Sequence, residues 1–142
     1  MDVRKRILIV DDEENVLFTL RATLAKLDNG ADIVTAPSGR QALEKVREMS
    51  FDLVLTDLKM PDMDGVAMTE AIRALHAGIV VIWMTAYGCC AVQAEAERLG
   101  VYRCLDKPLE VTEIRRIVGK ALEITDDSDS DNLYQARAPL ER

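Results

Sequence analysis

Short runs of apolar residues alternate along the chain with segments in which apolar residues recur every three or four positions. Five runs rich in β-branched residues predict strands at 6–10, 32–36, 51–56, 79–84 and 101–105. The first, third and fourth runs are nearly unbroken, which is typical of strands in a parallel sheet covered on both faces. The second and fifth are more mixed, so we expect them nearer the sheet edges.

Helical spacing predicts five helices, at about 14–27, from 38 onward, and at about 66–75, 88–99 and 111–123. Ser38 and Gln41 have the spacing of a capping box, and Gly100 stands where a helix C-terminal glycine is common. In the third helix, the predicted apolar face consists of Val66, Ala67, Ala71, Ile72 and Leu75. The resulting (βα)₅ order predicts an α/β fold, with a parallel sheet and helices on both of its faces.

The length of 142 residues fits one domain, which we place at 1–124, followed by an acidic tail or linker at 125–142 that we expect to be disordered. The net charge of −7 does not suggest a nucleic-acid-binding surface. No apolar run approaches the roughly 18 residues that a membrane span needs. Three cysteines without disulfide or zinc spacing predict reduced thiols in a cytoplasmic protein.

Charged and hydroxyl side chains stand at the end of four predicted strands. Asp11 and Asp12 follow the first strand, Asp57 the third, Thr85 the fourth and Lys107 the fifth. In an open parallel sheet these ends share one edge, where ligands bind. We therefore expect three carboxylates, a hydroxyl and an ammonium group to lie together there.

Three neighbouring carboxylates repel one another unless some are protonated or a cation lies between them. Oxygen ligands on short loops suit Mg²⁺, which keeps several of its waters in proteins. A divalent ion beside Asp57 would prepare that carboxylate to accept a phosphoryl group, with Lys107 and Thr85 holding the phosphoryl oxygens. The strand ends thus predict a magnesium-dependent phosphoacceptor.

The segments "ILIVDDEENV", "FDLVLTDLKMPDMDG", "VVIWMTAYG" and "LDKP" together resemble the receiver domain of two-component response regulators. The resemblance covers roughly residues 4–124 in the family's order and spacing. It implies a flavodoxin-like doubly wound fold with strand order 2-1-3-4-5. It also implies phosphorylation of Asp57 by a sensor histidine kinase or a histidine phosphotransfer protein, in a signalling module that is not a metabolic enzyme but assists its own phosphorylation and dephosphorylation.

The same resemblance assigns the metal ligands. Asp12 matches the direct ligand, and Asp11 matches the acid that acts largely through water. Asp57 matches both phosphoacceptor and ligand, while Lys59 supplies its backbone carbonyl.

The remaining roles concern the phosphoryl group. Thr85 matches the hydroxyl that moves to bond the phosphoryl group, Lys107 its charge partner, and Ala86 the small residue that leaves it accessible. The peptide bond before Pro108 is commonly cis in the family.

One position departs from the family pattern. An aromatic residue usually stands three residues before the lysine, and here Cys104 does. Tyr102, two residues earlier, would lie on the same face of a regular strand and could substitute for it at a different height. Whether an aromatic ring moves together with Thr85 in this chain therefore stays an open question at the level of the sequence.

In this family the output surface is usually formed by the fourth helix, fifth strand and fifth helix, and a phosphorylation-dependent dimer is possible.

A phosphatase of the haloacid dehalogenase type is one alternative, but it would need a second acid at the position of Lys59. A flavodoxin-like nucleotide-binding module is another, but the acidic "DDEEN" has no phosphate-cradling glycine. Near the acceptor, Asp62 is expected to be a solvated loop residue and Asp64 a helix-entry residue.

Overall fold

The structure, a computed structural model, describes residues 4–27 and 30–125. Its strands are β1 (Arg6–Val10), β2 (Asp32–Ala36), β3 (Leu53–Asp57), β4 (Val80–Thr85) and β5 (Arg103–Asp106). Its helices are α1 (Glu14–Leu24), α2 (Gly39–Glu48), α3 (Gly65–Leu75), α4 (Gln93–Arg98) and α5 (Val111–Thr125). No helix within the described ranges is long and apolar enough to cross a membrane. The tail predicted at 125–142 lies outside the described residues, apart from its first residue.

All five strands are parallel and lie in the order β2-β1-β3-β4-β5. This confirms the predicted α/β flavodoxin-like topology with order 2-1-3-4-5. The two strands with mixed sequences, β2 and β5, are the edge strands, as their sequences predict. Every residue of β3 and β4 is buried. The carboxyl ends of β1, β3 and β4 therefore meet at the centre of one sheet edge.

Successive residues of each strand face opposite sides of the sheet, so the core has two layers. Helices α1 and α5 cover one face of the sheet, and α2, α3 and α4 cover the other. In β1, for example, Ile7 and Ile9 face the first layer while Leu8 and Val10 face the second. Burial of this apolar surface on both sides of the sheet is the main stabilising contribution to the fold.

The apolar face predicted for α3 is partly wrong. Ala67 and Leu75 are exposed, whereas Met68 and Thr69 are buried. The Thr69 hydroxyl donates to a backbone carbonyl within α3 and accepts a hydrogen bond of 2.9 Å from Nε1 of the fully buried Trp83. A buried polar group is stable when it is hydrogen-bonded in this way, and apolar spacing gives no sign of such a pair.

The helix predicted at 88–99 is not continuous. A 3₁₀ turn at Cys89–Val92 comes first, and α4 has only six residues. Ala96 is its one buried residue, so little apolar packing is available to stabilise a longer helix. Gly100 follows with φ of 68°, as predicted for the residue after a helix.

The guanidinium group of Arg73 holds the end of α4 against α3. It donates to the carbonyl oxygens of Leu99 at 2.8 Å, Gly100 at 3.0 Å and Ala77 at 3.0 Å, and also to that of Ile79. One side chain thus joins the turn after α3 to the turn after α4. Arg73 therefore fixes where the short helix lies relative to β4 and β5.

Candidate functional site

Asp57 is the last residue of β3, and 9% of its side chain is exposed. Its Oδ1 accepts a hydrogen bond of 2.9 Å from the backbone N–H of Leu58. Burial, and then the charge of Asp11, raise the pKa of Asp57 above its ordinary value, against the opposing effects of Lys107 and the Leu58 N–H. The predicted acceptor is therefore a carboxylate whose environment disfavours its charge in spite of the nearby Lys107 ammonium group.

The first residue of α3 packs directly on the backbone around Asp57. A Cβ atom at Gly65 would lie 2.5 Å from the Asp57 carbonyl oxygen and 2.9 Å from Leu58 Cα. The Gly65 N–H donates to the Leu58 carbonyl oxygen at 2.8 Å. Only glycine permits this approach, so Gly65 closes the base of the β3–α3 loop, which comprises residues 58–64.

The two acids that follow β1 differ in burial. Asp11 is fully buried, and Asp12 is exposed. Asp11 Oδ1 accepts a hydrogen bond of 2.9 Å from the Glu13 N–H, and Asp11 Oδ2 lies 3.0 Å from Lys107 Nζ. Both oxygens of Asp11 thus already have protein partners, whereas Asp12 faces the solvent side of the cluster.

Lys107 lies between the carboxylates from β1 and β3. Its Nζ is 3.0 Å from Asp11 Oδ2 and 3.5 Å from Asp57 Oδ1, and 19% of its side chain is exposed. Burial alone would lower the pKa of Lys107, but its bonds to Asp11 and the charges of both acids raise it. The Lys107–Pro108 peptide bond is cis, as predicted from the family pattern.

Asp11, Asp12 and Asp57 each offer an oxygen atom, and these atoms lie within 4.8 Å of one another. Across residues 4–27 and 30–125 they form the one such group of three potential metal-ligating side chains. A set of carboxylate oxygens this close is the donor chemistry that a hard divalent cation prefers. The site predicted from the strand ends is therefore brought together in the fold.

The fourth strand ends at Thr85, which is 2% exposed. Its Oγ1 accepts a hydrogen bond of 3.0 Å from the Tyr87 N–H, and its carbonyl accepts one of 2.8 Å from the Lys107 N–H. Ala86 is exposed beside it. Lys59, in the β3–α3 loop, extends its Nζ over the Tyr87 ring, 5.5 Å from the ring centre. Loops on both sides of Asp57 thus contact each other through this cation–π pair.

Tyr102 does not lie on the same side of the sheet as Cys104, so the prediction that it could substitute for the family's aromatic residue is wrong. Tyr102 packs against the layer of α1 and α5, and Cys104 against the layer of α2, α3 and α4. The reason is that β5 begins only at Arg103, so the alternation of a regular strand does not extend back to Tyr102.

Beside Cys104, the 3₁₀ turn, β5 and α5 line a cavity of about 430 Å³ that is open to solvent on one side. Cys89, Ala96 and Glu113 are among the other residues that line it. All three cysteines of the chain are free thiols.

Asp62 has a role that sequence reasoning missed. Its Oδ2 accepts a hydrogen bond of 2.9 Å from the Arg40 N–H, and its Oδ1 accepts one of 3.3 Å from the Gly39 N–H. Asp62 is exposed in its loop, as expected, and its carboxylate also caps the first turn of α2 from that loop. Asp64 caps α3 by accepting from the Ala67 N–H at 2.8 Å, as predicted.

Comparison with known proteins agrees with this geometry. The family model for the response regulator receiver domain matches residues 7–119. Over 125 residues the chain is 42% identical to the transcriptional regulatory protein ZraR of Escherichia coli K12, covering 88% of the chain and 28% of ZraR. The chain therefore spans less than a third of the length of that relative.

A relative of similar length is sporulation initiation phosphotransferase F of Bacillus subtilis, which is 36% identical over 122 residues, covering 86% of this chain and 97% of that protein. Among solved structures, a CheY-like response regulator receiver domain protein from Methanospirillum hungatei superposes with a TM-score of 0.81 at 27% identity, covering 87% of this chain and 98% of the other. The chain belongs to the receiver domain family of two-component response regulators.

Proposed function

We propose that Asp57 accepts a phosphoryl group from a histidine kinase or histidine phosphotransfer protein in a Mg²⁺-dependent reaction. The observation that carries this proposal is the position of Lys107 Nζ, 3.0 Å from Asp11 and 3.5 Å from Asp57. This ammonium group can neutralise charge at the point where an incoming phosphoryl oxygen must lie beside the buried acceptor.

Magnesium fits the donor set. Asp12 and Asp57 would hold the ion directly, Asp11 would act mainly through water, and the backbone carbonyl of Lys59 would complete the protein's share. When bound, the ion supplies positive charge that neutralises the phosphoryl oxygens and brings them next to the acceptor. The close approach of three carboxylate oxygens supports this assignment, because the single positive charge of Lys107 does not balance three carboxylates.

The chain's own residues supply the remaining chemistry. An oxygen of Asp57 attacks phosphorus, the P–N bond of the donor's phosphohistidine breaks with its electron pair going to the imidazole nitrogen, and that nitrogen takes up a proton from solvent. Asp57 Oδ1 is already held by Leu58 N–H and Lys107, which orients the carboxylate for attack through its other oxygen. Orientation of this kind lowers the entropic part of the barrier.

The proposed switch begins at Thr85. Its hydroxyl accepts from Tyr87 N–H, and donation of its own proton to a phosphoryl oxygen would draw the strand end and Tyr87 toward Asp57. Phosphorylation adds about two negative charges at a site of fixed geometry, which biases two conformations of the chain. Lys107 moves with this change, because its N–H is bonded to the Thr85 carbonyl.

We place the output surface on α4, β5 and α5. The cavity beside Cys104 lies on this face, so motion of Thr85 on the neighbouring strand can change its shape. A phosphorylation-dependent dimer through this face is part of the proposal, and direct nucleic acid binding by this segment is not. We propose that residues 1–124 form the receiver domain and that residues 125–142 form a tail or linker. We also propose that the protein is located in the cytoplasm, and its three free thiols are compatible with that location.

Intact mass spectrometry tests the proposed acceptor. With Mg²⁺ and a small phosphodonor such as acetyl phosphate, the wild-type chain should gain one phosphoryl group, and Asp57→Asn should gain none. Mg²⁺ with beryllofluoride should change the fluorescence of the buried Trp83 in wild type alone. Uptake by Asp57→Asn would overturn the assignment. Repeated turnover of a phosphate monoester would instead favour a phosphatase.

A further inference from the structure

The β3–α3 loop is held at two places, at its base beside β3 and at Asp62, which contacts α2. At its base, Leu58 N–H donates to Asp57 Oδ1 and to the Met84 carbonyl, and Gly65 N–H donates to the Leu58 carbonyl. Between these two ends, the Asp62 carboxylate accepts from the first two N–H groups of α2, from Gly39 at 3.3 Å and from Arg40 at 2.9 Å. The loop therefore spans from the acceptor strand to a helix on which none of the predicted site residues lies.

The contact between the loop and α2 is close along its backbone as well. A Cβ atom at Gly39 would lie 3.0 Å from Met63 Cβ and 3.2 Å from the Met63 carbonyl oxygen. The first turn of α2 has no acidic residue of its own. Asp62 therefore supplies, from another part of the chain, the negative charge that a helix N-terminus favours.

The hydrogen bonds from α2 favour the charged form of the Asp62 carboxylate. Hydrogen bonds from the Arg40 N–H, and also from the Gly39 N–H, lower the pKa of Asp62 below its ordinary value. Asp62 is an exposed carboxylate and is therefore charged at neutral pH, so both hydrogen bonds are made to its charged form. Hydrogen bonds to a charged acceptor are stronger than those between neutral groups, so this contact can hold the loop in place.

We propose that Asp62 is a positioning residue for the magnesium site, because it fixes the loop that carries the backbone carbonyl of Lys59. The inference rests on the proposed function, in which that carbonyl is a ligand. Lys59 lies between the base of the loop and its tether to α2. Met60, next to it, buries its side chain and remains as an apolar anchor, so loss of Asp62 loosens the loop without releasing it.

Asp62→Ala should weaken Mg²⁺ binding by about threefold to tenfold. Loss of a residue that orients a metal ligand typically lowers metal affinity by about tenfold or more, and Asp62 acts on the ligand only through the loop. Mg²⁺ titration followed by amide NMR shifts measures this change. Ser38→Ala is a matched control, because Ser38 Oγ caps the same helix by accepting from Gln41 N–H at 3.2 Å, a hydrogen bond within α2 and not to the loop. Both variants should lower the melting temperature, and only Asp62→Ala should weaken Mg²⁺ binding.

Asp62→Asn separates the tether from simple loss of charge. Its amide oxygen can still accept from one N–H of α2, so its Mg²⁺ affinity should lie between those of wild type and Asp62→Ala. Equal weakening in Asp62→Asn and Asp62→Ala would assign the effect to charge and overturn the tether. Equal affinity in Asp62→Ala and Ser38→Ala would also overturn it, with the proposed function intact. If wild type itself does not bind Mg²⁺, the proposed function fails and this inference fails with it.

Discussion

Replacing Lys107 by Met should destabilise the metal-free protein, because it removes the cation from between two buried acids. The ammonium lies 3.0 Å from Asp11 and 3.5 Å from Asp57, and at an effective dielectric constant near 20 each attraction is about 5 kcal/mol before desolvation is subtracted. Breaking a buried ion pair usually costs about 3–5 kcal/mol. Since 19% of the Lys107 side chain is exposed and the raised pKa of Asp57 eases its protonation, we expect a loss of about 2–3 kcal/mol in unfolding free energy.

Urea denaturation in EDTA measures this loss, and repetition with excess Mg²⁺ tests its cause. A ligand that binds only the folded state at tenfold its dissociation constant adds about 1.4 kcal/mol of stability. Mg²⁺ should stabilise Lys107→Met more than wild type, because the ion meets no competing ammonium group there. The difference in unfolding free energy between Lys107→Met and wild type should therefore be smaller in Mg²⁺ than in EDTA.

Lys120→Met is the matched control, since Lys120 is an exposed lysine on α5. It should change stability by no more than about 0.5 kcal/mol. If Lys107→Met unfolds at the same urea concentration as Lys120→Met in EDTA, the ion pairs do not stabilise the fold. An unchanged difference in Mg²⁺ would mean that the metal does not bind among these acids.

Three further predictions concern the loop and the short helix. Gly65→Ala forces a Cβ atom to 2.5 Å from the Asp57 carbonyl oxygen, so it should cost about 1–3 kcal/mol in urea denaturation; unchanged stability would contradict the close packing. Arg73→Met removes the donor that bonds carbonyls after α3 and after α4, so amide exchange in α4 should accelerate at least tenfold, corresponding to about 1.4 kcal/mol or more. Equal exchange rates in the variant and wild type would show that Arg73 does not hold α4 in place. Asp62→Ala should be less stable than wild type at neutral pH, and this difference should vanish as the pH falls through the lowered pKa of Asp62, below its ordinary 3.8; a difference that persists in stronger acid would contradict the helix contact.

The main features of the fold were predictable from the sequence because they depend on local chemistry. Unbroken apolar runs marked β1, β3 and β4 as buried strands, and capping residues such as Ser38 marked helix starts. The strand ends then predicted that Asp11, Asp57 and Lys107 would meet, because parallel strands bring their carboxyl ends to one edge. The structure brings these three side chains into contact.

What the sequence could not predict depends on contacts between distant residues or on where an element begins. Asp62 bonds to backbone N–H groups 22 and 23 positions away, and backbone groups have no sequence signature. Thr69 is buried because Trp83 hydrogen-bonds it, which apolar spacing cannot reveal. Tyr102 was assigned to the wrong face because the strand was predicted to start two residues too early.

We expect Asp57 to become an acyl phosphate only when Mg²⁺ is present. Reduction of the phosphorylated chain with borohydride converts an aspartyl phosphate to homoserine, which peptide mass spectrometry locates by residue. We predict homoserine at position 57 alone, and none when EDTA is present during phosphorylation. Homoserine at Asp11 or Asp12, a phosphoryl group retained on His76, or equal labelling in EDTA would contradict the account.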